Sequence, residues 1–394
     1  KGAGLMKKIS ALLLLVLTFN AQPALAVEPL PQPFFNYLSS KYLADPGIIL
    51  LDGNTKEVVY ESGSAELRTP ASVLKLTSAT AIAMALDSET IFTTALYKTE
   101  KRGVFVILGE GDPWMTSNAK YRDANKRAYT PTLIKAAFAT DKKLKKITLL
   151  YAGMNGLDIF YAKRALGRKS SVVHKAISQD VDPNSLITEK VKEVVSPPLS
   201  KMIRFALLYS DNVLSQRLAM LATSKFGYTR NKTGLNNMMN DKLDEMGIDT
   251  AGLRLEDGSG LSGGNRISAV TVSQLLLKIR SEPRLKVVYD SLPISGESGT
   301  LVGRFRSTAP QAVGLVKAKT GSTRHTVSLA GFATSGEKEY VFVVIADGVG
   351  RTKRIQNAAR SAIDRMLGTI TKPPTVPLPL PVPDPTTIPF VATS

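Results

Sequence analysis

Three short motifs that carry nucleophilic, cationic and amide side chains occur in a fixed order along the 394-residue chain. The first opens an apolar helical pattern, the second splits two amphipathic helical patterns, and the third ends a strand pattern. Together, in these contexts, they predict a serine acyltransferase that works without histidine. The motifs are Ser72-Val73-Leu74-Lys75, Ser210-Asp211-Asn212 and Lys319-Thr320-Gly321-Ser322.

The first motif places a serine and a lysine three residues apart at the start of a helix, so their side chains share one face. Pro70 suits a helix start, and the helix N-terminus favours negative charge that develops near Ser72. Lys75 can accept the serine proton only as a neutral amine, which burial or a nearby second cation would favour. The same spacing recurs from Ser117 in a polar loop and from Ser335 in a hairpin turn, so context selects Ser72.

The second motif offers a hydroxyl and an amide between two helices. The Ser210 hydroxyl can relay a proton, and the Asn212 amide can hold both a lysine and a substrate carbonyl. A simple helix-to-helix turn in which serine and asparagine act as caps explains the same residues, so this motif alone decides nothing.

The Lys-Thr-Gly sequence of the third motif occurs twice, and only one copy follows a strand pattern. The copy at Lys232 lies in the polar run 229–237, whereas the copy at Lys319 ends one strand and leads into another. A strand edge with Gly321 allows a substrate backbone to pair closely, and Lys319 and Thr320 could bind a terminal carboxylate. An ordinary basic strand end is the alternative reading.

Composition excludes several other classes of site. The chain has no cysteine and two histidines, neither near a nucleophile-elbow serine, which argues against thiolate chemistry and a Ser-His-Asp triad. No cluster has metal-ligand spacing and no glycine loop fits a phosphate, so we predict neither metal nor cofactor. The net charge of +18 is scattered. It favours an anionic cell-wall or membrane surface over nucleic acid as a partner, and a non-specific solvated surface is the alternative.

The two ends of the chain carry patterns of their own. A basic start, an apolar run over residues 9–19 and a small-residue site at 24–26 predict a signal peptide over residues 1–26, with 1–5 upstream of the true start. We therefore expect export to an extracytoplasmic space, with an uncleaved anchor as the alternative. Eight prolines in residues 371–394 predict a disordered spacer, with a docking tail as the alternative.

Strand patterns fall at both ends of the remaining sequence, which predicts an α+β fold. One five-stranded antiparallel sheet flanked by helices would form the core from residues 27–90 and 195–370, together with a helical subdomain. Residues 91–194 alternate strand and helix patterns and predict an inserted α/β subdomain. The five strand patterns are 47–51, 56–62, 315–320, 326–334 and 339–347, with terminal helices at 33–44 and 351–367.

The three motifs resemble the active-site triplet of penicillin-recognising serine DD-peptidases. Further segments are similar to the D-alanyl-D-alanine carboxypeptidase/endopeptidase family, the class C low-molecular-mass penicillin-binding proteins. The resemblance reaches to about residue 350 and implies a DD-peptidase/β-lactamase-like core. That family carries a large two-domain insertion between the first two motifs, which only 138 residues separate here, so we expect a shortened insertion. The further segments are 111–113, 196–200, 256–262, 292–294 and 299–301.

The resemblance also implies a role for each residue that carries the chemistry. Ser72 would be the acylated nucleophile and Lys75 its proton acceptor. Ser210 and Asn212 would support proton transfer and hold the substrate amide. The reaction would be cleavage of the D-Ala-D-Ala peptide bond of peptidoglycan stem peptides by a serine-type carboxypeptidase, and cross-linked stems could be cut by the same chemistry.

The third motif would bind the end of the substrate. Lys319 and Thr320 would bind the terminal carboxylate beside Gly321, and the backbone N–H groups of Ser72 and Ser322 would form the oxyanion hole. β-Lactam antibiotics would act as covalent inhibitors of the same serine.

Two other functions stay open at this point. A serine β-lactamase would share all three motifs, but its deacylating Glu-x-x-Leu-Asn segment is missing, because Lys232 stands where that glutamate would precede Leu235 and Asn236. A catalytically inactive cell-wall binding protein of the same fold is the second alternative.

Overall fold

The computed structural model describes residues 29–154, 156–166 and 171–375. The predicted signal peptide and the proline-rich segment beyond residue 375 lie outside the described residues. No helix within the described part of the chain is both long and apolar enough to cross a membrane. The described α-helices are α1 (Gln32–Leu38), α2 (Lys75–Ala85), α3 (Ala119–Asn125), α4 (Thr130–Ala139), α5 (Gly156–Ala165), α6 (Leu199–Leu208), α7 (Asn212–Lys225), α8 (Lys232–Glu245), α9 (Ala269–Ser281), α10 (Lys286–Asp290) and α11 (Lys353–Gly368).

The described strands form two five-stranded sheets. The first sheet has the order β2-β1-β10-β9-β8, with every neighbouring pair antiparallel. The predicted antiparallel sheet built from the two ends of the folded chain is therefore confirmed. The strands are β1 (Gly47–Asp52), β2 (Val58–Ser62), β3 (Thr93–Lys98), β4 (Val104–Gly109), β5 (Lys146–Ala152), β6 (Ser171–Ala176), β7 (Lys190–Val195), β8 (Val316–Ser322), β9 (Val327–Ser335) and β10 (Lys338–Ala346).

Helices cover both faces of the first sheet. β1 and β10 are apolar along almost their whole length and buried at successive positions, as expected for strands covered on two sides. Alternate residues such as Ile49 and Val343 join the core formed with α2 and α9. The intervening residues face the other side because side chains alternate along a strand. On that side α11 packs on β9 and α1 packs on α11.

The helical subdomain surrounds α2, which is buried from Lys75 to Ala83. Helices α6, α7, α8 and α9 all contact it. A helix that is buried on every side is typical of the centre of a core, and this one directly follows the 3₁₀ turn that contains the predicted nucleophile. The core helix therefore fixes the position of the first motif.

The insert between the first two motifs folds around the second sheet, in the order β6-β5-β4-β3-β7. β4, β5 and β6 are parallel neighbours, whereas β3 is antiparallel to both β4 and β7. Helices α4 and α5 contribute to its apolar core. The chain segments that enter and leave the insert are hydrogen-bonded to each other, because Phe92 donates its N–H to the Ser196 hydroxyl at 2.9 Å. The α/β composition predicted for residues 91–194 is confirmed.

Candidate active site

Ser72 lies in a 3₁₀ turn, Ala71–Leu74, which leads directly into α2. The preceding residue, Ala71, has a φ of 52°, a left-handed conformation that costs energy for a residue with a side chain. Such strain persists only where the surrounding structure enforces it, and it is concentrated at functional sites. The predicted nucleophile thus lies on a strained turn at the start of the buried helix α2.

The Lys75 ammonium lies at the centre of the site, with three hydrogen-bond partners. It donates to Ser72 Oγ at 2.7 Å, to Asn212 Oδ1 at 2.7 Å and to the Ser259 carbonyl at 2.6 Å. Burial lowers the pKa of Lys75 to about 8, while the Asp257 and Asp211 carboxylates act in the opposite direction. Roughly one tenth of Lys75 is therefore the neutral amine at pH 7, against well under one hundredth for an ordinary lysine, and this is the form that can accept the serine proton.

The third partner of Lys75 comes from a loop that Asp257 organises. One carboxylate oxygen, Oδ1, accepts the N–H groups of Ser259 at 2.8 Å and Gly260 at 2.6 Å, and Oδ2 accepts that of Ser262 at 2.6 Å. This wraps the chain around the carboxylate and aims the Ser259 carbonyl at the lysine. Sequence reasoning noted the 256–262 segment but gave it no role, although Asp followed by Gly and Ser is a turn signal.

Gly260 allows this loop to lie close against the 3₁₀ turn that contains Ser72. Its φ is 84°, and a Cβ there would lie 1.9 Å from the Ala71 carbonyl oxygen. We expect Gly260→Ala to destabilise the fold by about 2 kcal/mol or more and to lower the rate of acylation at least tenfold, measured by thermal unfolding and fluorescent penicillin labelling. Gly263→Ala is the matched control, since no atom lies within 4 Å of its added Cβ. Equal effects of the two changes would contradict the close approach.

The Ser210-Asp211-Asn212 motif forms the turn between α6 and α7. Ser210 has a φ of 57°, again left-handed. Asp211 caps α7 by accepting the Leu214 N–H at 2.8 Å. The two flanking side chains reach different lysines, because Ser210 Oγ meets Lys319 while Asn212 Oδ1 meets Lys75. The motif therefore connects the two buried cations of the site.

Lys319 is buried on β8 without an acidic partner among the described residues. Its ammonium donates to Ser210 Oγ at 2.9 Å and to the Thr320 carbonyl at 2.8 Å. Burial, and then the neighbouring Lys75, hold the pKa of Lys319 well below its usual range. A buried cation that lacks a counter-charge favours binding of an anionic ligand, because the ligand would restore the missing charge balance.

β8 is an edge strand of the first sheet, and its last residues complete the site. Gly321 lies against the segment before Ser72, since a Cβ there would lie 2.7 Å from the Pro70 carbonyl oxygen. Thr320 Oγ1 donates to Thr300 Oγ1 at 2.8 Å, and Ser322 Oγ accepts from Arg360 at 2.8 Å. An edge strand keeps backbone groups available for pairing with an extended peptide.

The other copies of the motifs lie in different local structures. Lys232 begins helix α8 and pairs with Glu256 at 2.7 Å, and the lysine is mostly exposed. Ser117 donates to the Asp158 carbonyl at the start of the insert's helices, and Ser335 ends β9. The structure brings Ser72, the two buried lysines and the second motif into one hydrogen-bonded cluster, and none of the other copies takes part in it.

A protein-family model matches most of this chain. Residues 39–145 and 160–370 match the model of the D-Ala-D-Ala carboxypeptidase 3 (S13) family. The chain belongs to this family. The resemblance drawn from the motifs is thereby confirmed, and so is the predicted enzyme class, a serine-type D-Ala-D-Ala carboxypeptidase.

Two relatives of known name show how far the similarity extends. The chain is 27% identical over 379 residues to Carboxypeptidase DacB of Mycolicibacterium smegmatis, covering 83% of this chain and 82% of that protein. It is 43% identical over 113 residues to the D-alanyl-D-alanine carboxypeptidase of Actinomadura sp. strain R39, covering 27% of this chain and 21% of that protein. The first similarity covers most of both chains and the second is local.

Two solved structures have a similar fold. Penicillin-binding protein 4 of Haemophilus influenzae superposes with a TM-score of 0.64 at 18% identity, covering 81% of this chain and 95% of that chain. Bd3459, a predatory peptidoglycan endopeptidase from Bdellovibrio bacteriovorus, gives a TM-score of 0.55 at 16% identity, covering 84% and 96%. These similarities confirm the predicted α+β, DD-peptidase-like architecture.

Proposed function

We propose that this chain is an exported serine-type D-Ala-D-Ala carboxypeptidase that acts on peptidoglycan stem peptides through an acyl-enzyme at Ser72. The observation that carries the proposal is the Lys75 ammonium, buried with a lowered pKa and 2.7 Å from Ser72 Oγ. A neutral amine at this position can take the hydroxyl proton as Ser72 attacks the substrate carbonyl. The signal-like sequence at residues 6–26 supports export.

In the proposed mechanism the substrate lies along β8. Lys319, with Thr320 beside it, binds the terminal carboxylate, and the backbone N–H groups of Ser72 and Ser322 stabilise the oxyanion. The Ser72 oxygen forms a bond to the carbonyl carbon and the peptide bond to the last D-Ala breaks. The proton that Lys75 accepted passes to the leaving amine, with the Ser210 hydroxyl as a relay. Water then hydrolyses the ester and regenerates the serine.

Asn212 contacts Lys75 and, in this proposal, also the substrate. Its Oδ1 receives a hydrogen bond from Lys75, which leaves its amide N–H₂ group to donate to the substrate. The Asp257 loop supplies the third acceptor around Lys75 and keeps the amine directed at Ser72. These contacts orient the base without a histidine.

β-Lactams fit the same site as covalent inhibitors in this proposal. The related Haemophilus influenzae protein has been solved in complex with a β-lactam, and Bd3459 as a penicillin G-acylated protein. A β-lactam carries a carboxylate near its reactive amide, so Lys319 and Ser72 would engage it as they engage a stem peptide. The net charge of +18 supports association with an anionic cell-wall or membrane surface.

We expect the purified chain to release D-Ala from a stem pentapeptide that ends in D-Ala-D-Ala. The same peptide with a C-terminal amide should be cleaved at least about tenfold more slowly, because it lacks the carboxylate for Lys319. Release of D-Ala measured beside cleavage of cross-linked dimers separates carboxypeptidase from endopeptidase activity. Rapid penicillin turnover without D-Ala release would instead favour a β-lactamase, and neither labelling nor release would favour an inactive binding protein.

A further inference from the structure

A buried arginine of the inserted subdomain contacts the second motif of the core. Arg127 is 6% exposed, and its Nη2 lies 3.2 Å from Asp211 Oδ2. Its guanidinium lies over the rings of Trp114, at 4.4 Å from the centroid, and Phe205, at 5.2 Å. Those two rings meet edge to face at 5.1 Å, one from the insert and one from α6. The arginine is therefore held in one place at the junction of insert and core.

The partner of this arginine is the residue that shapes the catalytic turn. Asp211 uses Oδ1 to cap α7 and Oδ2 to meet Arg127, so both of its oxygens are committed. On one side of it Ser210 is held in a left-handed conformation, and on the other side Asn212 reaches Lys75. A strained turn keeps its shape only when its neighbours enforce it, and Arg127 supplies one of those restraints from outside the core.

The contact between Arg127 and Asp211 also changes the electrostatic environment of Lys75, the proposed base. Lys75 faces two carboxylates, those of Asp257 and Asp211, and one further cation, Lys319. Both carboxylates raise the pKa of Lys75 against the lowering effect of its burial. Arg127 places a positive charge directly on one of them, which offsets its influence on the lysine.

The surroundings of Arg127 itself are also charged. Asp211, Asp112 and Tyr121 face it as groups that favour its charge, whereas Arg217 opposes it. Burial lowers the pKa of Arg127 from its usual range, but an arginine stays protonated under working conditions. The positive charge next to Asp211 is therefore permanent, unlike that of a histidine or a buried lysine.

We infer that Arg127 is a positioning residue for acylation: through Asp211 it holds the catalytic turn and offsets the negative charge beside Lys75, given the acyl-enzyme chemistry proposed above. The inserted subdomain is then part of the catalytic unit and not only an accessory to substrate binding. The residue touches neither Ser72 nor Lys75 and acts through the second motif alone.

The test follows the rate of penicillin acylation as a function of pH in two variants. The pH at the midpoint of this dependence should shift in opposite directions in the two variants. The wild-type rate of penicillin acylation at Ser72 is expected to rise with pH to a plateau with a midpoint near 8, the pKa of Lys75. Arg127→Met should shift the midpoint upward by roughly half a pH unit or more and lower the plateau about tenfold. Asp211→Asn keeps a good helix cap but removes the negative charge, so it should shift the midpoint downward.

Two further variants separate charge from geometry. In the double variant Arg127→Met with Asp211→Asn the midpoint should return close to the wild-type value, since both charges are gone. Arg127→Lys keeps the charge but loses the planar guanidinium, so we expect a wild-type midpoint with a lower plateau. An Arg127→Met protein whose midpoint equals that of the wild type, or a double variant that keeps the full upward shift, overturns the inference.

Arg217→Met is the matched control for loss of contact between insert and core. Arg217 on α7 also bridges to the insert, with Nη2 at 2.5 Å from Asp158 and Nη1 at 2.7 Å from the Met115 carbonyl, but it makes no hydrogen bond to the second motif. We expect this change to lower the melting temperature and leave the acylation midpoint in place. A midpoint that moves as far as in Arg127→Met would assign the effect to docking of the insert in general.

A second readout does not depend on catalysis. The carbon-13 resonance of the Lys75 ε-carbon, assigned with a Lys75→Arg variant, reports the titration of that amine directly in the full chain. The same upward, downward and restored midpoints are expected for the three Arg127 and Asp211 variants. If wild-type protein were not acylated at all, the proposed function would fail, while this titration would still decide whether Arg127 controls the charge state of Lys75.

Discussion

Replacing Ser72 by alanine is expected to abolish covalent labelling by fluorescent penicillin and to reduce D-Ala release by at least about 10⁴-fold. In the proposed function this hydroxyl forms the bond to the substrate, and among the described residues no other serine hydroxyl is hydrogen-bonded to Lys75. Mass spectrometry of the labelled wild-type chain should place the adduct on the peptide that contains Ser72.

Ser335→Ala is the control for this prediction, because Ser335 has the same spacing to a lysine but ends β9 outside the cluster. It should label like the wild type. The melting temperature of Ser72→Ala should stay close to that of the wild type, since the change removes one half-buried oxygen. Labelling that persists after Ser72→Ala would refute the assignment of the nucleophile.

Replacing Lys319 by alanine is expected to lower kcat/KM for a D-Ala-D-Ala peptide by roughly 10²- to 10³-fold. Lys319 is buried beside Lys75 and lacks a described acidic partner. In the proposed function it supplies the charge for the substrate carboxylate. Lys319→Met, which keeps the volume of the side chain, should show the same loss and so separate the charge from packing.

Two controls make this prediction specific. Lys232→Ala changes the other Lys-Thr-Gly copy, a mostly exposed residue at the start of α8, and should leave kcat/KM within about twofold. A substrate amide without the carboxylate should lose far less activity in Lys319→Ala than the free acid does, because only the hydrogen bond from Lys319 to Ser210 is then lost. If Lys232→Ala caused the large loss instead, the choice of the Lys319 copy of the Lys-Thr-Gly sequence over the Lys232 copy would be wrong.

Much of the fold could be predicted because its signals are local. β1, β9 and β10 are long apolar runs bounded by turn residues, and their observed bounds lie within two residues of the predicted ones. β3, β6 and β7 of the insert were missed. β6 and β7 are largely exposed and contain charged residues that weaken an alternating pattern. Helix α8 was read as a polar run for the same reason, although Asn231 caps it by accepting the Gly234 N–H.

The sequence by itself determined which side chains are candidates for the site: a serine and a lysine three residues apart at a helix start, a hydroxyl and an amide at a helix break, and a lysine near a strand end. These follow from spacing and local periodicity, which a single chain displays directly. Only the tertiary structure decided what surrounds Lys75. The Ser259 carbonyl is 184 residues from that lysine and Arg127 is 84 residues from Asp211. Contacts at such separations depend on how whole elements pack, and the burial that lowers the pKa of Lys75 exists only once they have packed.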